Sequence, residues 1–139
     1  FIDKARLKGA PQHGIGRSCK AGKEEIAGLL TALKLFIAEG DAARHARWLA
    51  DCEIIAAALP ADCVTISGRS DESSVPTVDI SLQGATPTAT ELTLMLQRAT
   101  PAIAIDPFRR NRNIVTLNPM CLKPGEAEIV GRAIAHALA

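Results

Sequence analysis

The residues best suited to chemistry lie together near the start of the chain, in His13-Gly14-Ile15-Gly16-Arg17-Ser18-Cys19-Lys20-Ala21-Gly22-Lys23-Glu24-Glu25. Arg17, Lys20 and Lys23 recur every third residue, after a glycine-rich approach and at the start of a strong helical pattern. The first N–H groups of a helix have no partner within it, and the positive end of its dipole favours negative charge. The ligand that suits such a stretch is a phosphate or a carboxylate. It is not a Walker A loop: the glycine five residues before Gly22 would fall on Arg17, and Lys23 is followed by Glu24 in place of Ser or Thr. It is not a dinucleotide fingerprint either, because Cys19 stands where the third glycine belongs. On spacing alone, a solvated basic loop joining two helices accounts for the same residues, since Lys and Arg usually face water.

Other candidates are weaker. His13 has a side chain that exchanges protons near neutral pH, yet it has no visible carboxylate partner and reads more readily as a structural loop residue. Lys23 reads as an exposed helix-start residue. Arg109, Arg110 and Arg112 form a second basic cluster, best read as a solvated turn. His45 and His136 lie on predicted helices without ligand partners and receive no function. The four cysteines, Cys19, Cys52, Cys63 and Cys121, are scattered without a C-x-x-C pair or a histidine at zinc-ligand spacing, so they are expected reduced, mostly buried and without metal.

The elements that must position these residues follow from composition and periodicity. A chain of 139 residues fits one ordinary domain, and 47% hydrophobic with 22% charged residues is a globular composition. Lys+Arg 16 against Asp+Glu 15 gives a net charge of +1, far from the basic field of a non-specific DNA binder. The few aromatic residues, Phe1, Phe36, Trp48 and Phe108, offer no base-stacking platform. No apolar run approaches the ~18 residues that span a bilayer, and no secretory leader pattern is present, so a cytoplasmic protein away from membranes is expected.

The pattern predicts a short helix over Phe1 to Leu7, a loop to Gly22, and a helix from Lys23 to about Ala38 with Ile26, Leu29, Leu30, Leu33, Phe36 and Ile37 on one stripe. Gly40 ends it. Asp41 is the expected N-cap of a helix over 42–59, with Trp48, Leu49, Cys52, Ile55 and Leu59 inward and Arg44, Arg47, Asp51 and Glu53 elsewhere. Val64 to Gly68 and Val75 to Leu82 read as a hairpin. A helix capped by Thr88 or Thr90 runs to about Arg98, a second strand pair spans 102–106 and 113–117, and a last helix starts near Pro124 with Ile129, Val130, Ile134 and Leu138 inward. Strand pairs alternating with helices imply an α+β fold, a small, mostly antiparallel sheet with helices on one face.

The string GIGRSCKAGKEEIAGLLTAL resembles the segment G-I-G-R-x-M-K-x-G-K-E-E-I-x-G-L-L-x-A-L of enzymes related to selenocysteine synthase, a group that includes the D-glucosaminate-6-phosphate ammonia-lyases. Gly9-Ala10-Pro11-Gln12-His13 resembles the segment just upstream of it. Asn118-Pro119-Met120-Cys121-Leu122-Lys123-Pro124-Gly125-Glu126-Ala127-Glu128-Ile129-Val130 is similar to the C-terminal N-P-x-x-L-x-P-G-E-x-E-I-V. Between these two ends the match is one of pattern only.

This resemblance implies a fold-type I enzyme using pyridoxal phosphate (PLP), of which this chain is the C-terminal part. Phe1 in place of a starting methionine, within what reads as a helix tail, gives the same expectation of a longer protein. The implied organisation is 1–22 as the end of a large domain with its basic loop, 23–59 as a helical link, and 60–139 as the small domain. The Schiff-base lysine is expected upstream, leaving no catalytic residue in this chain. Arg17 falls on the family's motif arginine and Lys20 on its motif lysine. In selenocysteine synthases both positions are arginines that help hold a phosphorylated intermediate, and Lys20 keeps the charge without the bidentate fork. Cys19 replaces the usual methionine and Ser18 a common proline.

Fold-type I enzymes commonly clamp the substrate carboxylate with a small-domain arginine, which makes Arg109 a weaker candidate. The activity implied is elimination of ammonia from a phosphorylated amino-sugar acid by a homo-oligomer. Transfer of selenium to an aminoacyl-tRNA is the runner-up within the family, disfavoured by neutral charge and few aromatics. A non-catalytic anion-binding or assembly module is the competing class.

Overall fold

The computed structural model describes residues 21–106 and 108–139. The expected first helix, most of the glycine-rich loop and Pro107 lie outside the described residues. The chain divides at Glu39/Gly40. The part before that division contributes α1, Lys23–Glu39, whose first turn carries Glu24 and Glu25 as the helix dipole favours. Its apolar stripe has the predicted spacing, yet α1 contains no buried residue.

The unit from Gly40 onward is built from α2 (Asp41–Ala57), β1 (Val64–Ser67), β2 (Thr77–Ser81), α3 (Ala89–Gln97), β3 (Ile114–Leu117) and α4 (Glu126–Leu138), with single 3-10 turns at Arg110–Arg112 and Pro119–Cys121. It is an α+β arrangement, with one three-stranded antiparallel sheet in the order β1-β2-β3. Among the described residues no helix is long and apolar enough to cross a membrane.

The period of two in β2 divides the sheet into unlike faces. Val78 and Ile80 are fully buried, while Thr77, Asp79 and Ser81 point to the other side. Val115 and Leu117 of β3 join the buried face, and α2 covers β1 and β2 while α3 lies against β3. From α2 the core takes Cys52 and Ile55, from α3 Leu92 and Leu96, and from α4 Val130 and Ile134. The crossing of α4 on α2 is close because Gly131 has no side chain: a Cβ there would come within 3.0 Å of the Ala58 Cβ and 3.4 Å of the Ile55 Cα. Ile129 and Leu138 of α4, expected inside, are only half-buried.

Several local expectations change in the folded chain. Gly40, at φ 75°, is the N-cap of α2, and Asp41 lies in the first turn, where its carboxylate accepts from Arg44 Nη1 at 2.7 Å. That pairing allows Arg44, expected on the exposed side, to be 4% exposed. Trp48 is half-buried, with the Arg47 guanidinium 5.7 Å from its ring centroid. His45 is buried and hydrogen-bonded through Nε2 to the Gly68 carbonyl at 2.8 Å, tying α2 to the turn after β1. Thr88 is the cap of α3 and forms a capping box with Glu91, whose carboxyl is held below the usual range by the Thr88 N–H and hydroxyl.

The second strand pair is largely absent. Only Asp106 bridges Thr116, its N–H donating to the Thr116 carbonyl at 3.2 Å. Residues 102–105 leave the sheet because the Ile103 N–H donates to the Leu96 carbonyl at 2.9 Å, which satisfies the segment at the end of α3 instead.

Asn113 holds three segments at one point. At φ 54° it is in the left-handed conformation that asparagine tolerates better than most residues. Its Oδ1 accepts from the Ala89 N–H at 2.7 Å, and its Nδ2 donates to the Leu82 carbonyl. We expect Asn113→Ala to lower the unfolding free energy by about 1–3 kcal/mol, since it leaves the Ala89 N–H without its acceptor, removes one of the two donors to the Leu82 carbonyl and keeps the strained φ. Urea unfolding checks this, and a loss below about 0.5 kcal/mol would contradict it.

Candidate functional site

The polar face of the sheet carries the most developed constellation in the described structure. The register places Thr65, Asp79 and Thr116 side by side across β1, β2 and β3, and the isolated bridge adds Asp106 beyond them. These residues alternate with the buried ones and so point away from the core. Asp79 is the centre of the row. Its Oδ1 accepts from Thr116 Oγ at 2.6 Å, and its Oδ2 accepts from Arg109 Nη1 at 2.6 Å.

Arg109 is brought there by its own turn. Its carbonyl accepts from the Arg112 and Ile114 N–H groups at 2.9 and 3.3 Å, and Asp106 Oδ1 accepts from the Phe108 N–H at 2.9 Å. Gln83 Nε2 secures the far side on the Arg112 carbonyl at 2.5 Å. Arg109 is therefore not a freely solvated turn residue. Its side chain is 38% exposed and that of Asp79 17%. Only Nη1 of the guanidinium is engaged, and the Nε and Nη2 donors have no partner among the described residues. Arg110 and Arg112 of the same turn are exposed and have no acidic partner among them, and Phe108 beside them is 86% exposed. The arrangement is suited to holding an oxyanion.

The predicted loop residues His13, Arg17 and Lys20 lie outside the described residues. Lys23 is exposed at the first position of α1. The Glu25 carboxylate accepts from the Gly22 N–H, so this donor at the helix start is already used by the chain's own anion.

A cavity of about 230 Å³ lies between α2, α4 and the segment 101–104. Ile55, Ile103, Leu117 and Val130 make its walls, with Asn118 and Glu126 as polar residues. It contains no lysine, arginine or histidine, which suits an apolar occupant and not a phosphate. The described lysines, Lys23, Lys34 and Lys123, are all exposed. The described residues do not fit a PLP site, which needs a lysine facing an enclosed pocket.

The thiols differ in reactivity. Cys52 is buried and its Sγ donates to the Pro76 carbonyl at 3.6 Å; burial, with Asp51 nearby, pushes its pKa up to about 11. Cys63 is half-buried and raised by the same cause, and Cys121 is exposed, so burial of the cysteines is less complete than expected. Burial also raises the Asp51 carboxyl, against the opposing field of Arg47.

Sequence reading missed Asp79 and Thr116. The alternation in T-V-D-I-S does place Asp79 on the outer face, but nothing local joins it to an arginine that follows in another turn. The buried His45–Gly68 bond was equally hidden, because its acceptor is a backbone carbonyl in another element.

Among known proteins, no family model and no curated sequence matches this chain. A solved structure of D-glucosaminate-6-phosphate ammonia-lyase is similar to it. The two superpose with a TM-score of 0.59 at 21% identity, over 92% of this chain and 36% of that one. The likeness shows a common fold. The chain spans about a third of that enzyme's length.

Modification of native thiols provides a check. Below its raised pKa, Cys52 stays protonated while the chain is folded, so at pH 8 a haloacetamide is expected to label Cys121 readily and Cys52 only after denaturation. Labelling of Cys52 at the rate of Cys121 in native protein, read by mass spectrometry, would contradict this.

Proposed function

We propose that this chain is the C-terminal part of a PLP-dependent lyase or transferase related to selenocysteine synthase. Its reaction would be elimination of ammonia from a phosphorylated amino-sugar acid such as D-glucosaminate 6-phosphate. The observation that carries the reading is the fold likeness to D-glucosaminate-6-phosphate ammonia-lyase over 92% of this chain. The two motif segments, GIGRSCKAGKEEIAGLLTAL and the run from Asn118 to Val130, support it from both ends of the sequence.

The parts have separate tasks in this reading. Residues 1–22 end a large domain, 23–59 lead into the small domain, and 60–139 form it. Arg17 and Lys20 receive the substrate phosphate, with His13 and Lys23 as lesser contributors. Arg109 is the candidate for the substrate carboxylate, because it combines a fixed guanidinium with donors that have no partner among the described residues. PLP, for which the described residues form no site, would supply the electron sink of such reactions. A homo-oligomer is the assembly proposed.

The test uses the enzyme that contains this chain, assayed for ammonia release from D-glucosaminate 6-phosphate and from D-glucosaminate. Arg17→Ala is expected to lower kcat/KM for the phosphorylated substrate by about 10- to 100-fold, the value of one or two charge-assisted hydrogen bonds, with little change for the other. Equal loss on both substrates would remove the phosphate role from Arg17. No ammonia from either substrate in the unaltered enzyme would leave the anion-binding module in place of the lyase.

A further inference from the structure

Both oxygens of the Asp79 carboxylate are engaged. One oxygen takes the Thr116 hydroxyl and the other takes Arg109 Nη1, each at 2.6 Å. Two opposite effects on a ligand at Arg109 are conceivable. A mobile carboxylate would compete with an incoming oxyanion for the guanidinium. A fixed one would orient the guanidinium and leave its other edge available.

The surroundings favour the second effect. Asp79 projects from the middle of the central strand, between Val78 and Ile80, which are fully buried and anchor the backbone on either side. Thr116 is its direct cross-strand neighbour and fixes the rotation of the carboxylate. Arg109 is held at its backbone by two hydrogen bonds to its carbonyl and at its tip by Asp79, so little rotamer freedom remains to be lost on binding. A planar guanidinium tied through one nitrogen still offers the Nε–Nη2 edge for bidentate contact with a carboxylate.

We propose that Asp79, itself oriented by Thr116, is a positioning residue that presents the Nε–Nη2 edge of Arg109, which has no partner among the described residues, to a substrate carboxylate. This rests on the reading of Arg109 given above, and it adds the two residues that act through it. The ligand class is a small hydroxy or amino acid carboxylate. Asp79 and Thr116 do not touch the ligand.

The experiment uses the 139-residue chain with ¹⁵N-labelled arginine, titrated with D-gluconate, which has a carboxylate and no phosphate, and with D-glucose 6-phosphate, which has the reverse. Expected is a D-gluconate-dependent shift of the Arg109 Nε–H resonance. The D-gluconate Kd is expected to rise about tenfold or more in Asp79→Asn and about three- to tenfold in Thr116→Val, with Thr116→Ser near the unaltered value. Affinity for D-glucose 6-phosphate should be unchanged in all three, which a general loss of structure would not produce. If Asp79→Asn fails to fold, the pair Thr116→Val and Thr116→Ser carries the same comparison.

Absence of D-gluconate binding in the unaltered chain overturns the proposal. So does equal or tighter binding by Asp79→Asn, which would make Asp79 a competitor, or equal binding by the two Thr116 variants. Ammonia release by the containing enzyme is read separately. D-gluconate binding through Arg109 in a protein that releases no ammonia would refute the lyase and leave the positioning role intact.

Discussion

Everything described in the unit from Gly40 onward depends on the alternation of β2. Val78 and Ile80 must be dry, because burial of two aliphatic side chains contributes roughly 1.5–3 kcal/mol each; α2 and α3 pack on the apolar face of the sheet, and α4 packs against both helices. A slip of one residue in the β1–β2 or β2–β3 register would send Asp79 into that core, where an unpaired carboxylate is far too costly. The constraint that makes the core thus also fixes Asp79 on the outer face. The polar row of Thr65, Asp79 and Thr116 is the other side of the same pairing.

The outer face then organises the turn. An ion pair as exposed as Arg109–Asp79 adds only about 0.2–1 kcal/mol to stability, so it does not hold the fold together. Its effect is geometric. It limits where one arginine of a basic turn can point, while the backbone bonds of Arg109, the side chain of Asn113 and the contact from Gln83 limit where the turn itself can lie. The turn ends with a positioned Arg109 beside two exposed arginines and an exposed phenylalanine.

Long periodic elements were legible in the sequence. The helices α1, α2, α3 and α4 and the first hairpin follow from apolar spacing, Gly40, Pro60 and a threonine cap at Thr88 or Thr90, while the capping box that Thr88 makes with Glu91 shows only in the structure. The fourth strand was not, because 102–105 has strand-like composition while its N–H at Ile103 finds a better-placed acceptor on α3. Burial of Arg44 and His45 was hidden for a related reason: each is made tolerable by a specific acceptor, Asp41 or the Gly68 carbonyl, which periodicity does not register. At the candidate site, Arg109 was visible as a residue type at a turn. Its clamp was not, since residues far apart in sequence meet only through the β2–β3 pairing. The predicted phosphate residues Arg17 and Lys20 lie outside the described residues, and the role proposed for them rests on the motif.

Arg109 is held while Arg110 and Arg112 have no such clamp among the described residues, and side-chain NMR of the three arginines tests this difference directly. Slow guanidinium rotation and a protected, well-dispersed Nε–H are expected for Arg109, against fast rotation for Arg110 and Arg112. Asp79→Asn is expected to bring Arg109 to the behaviour of the other two. Three indistinguishable, rapidly rotating guanidinium groups in the unaltered chain would contradict it.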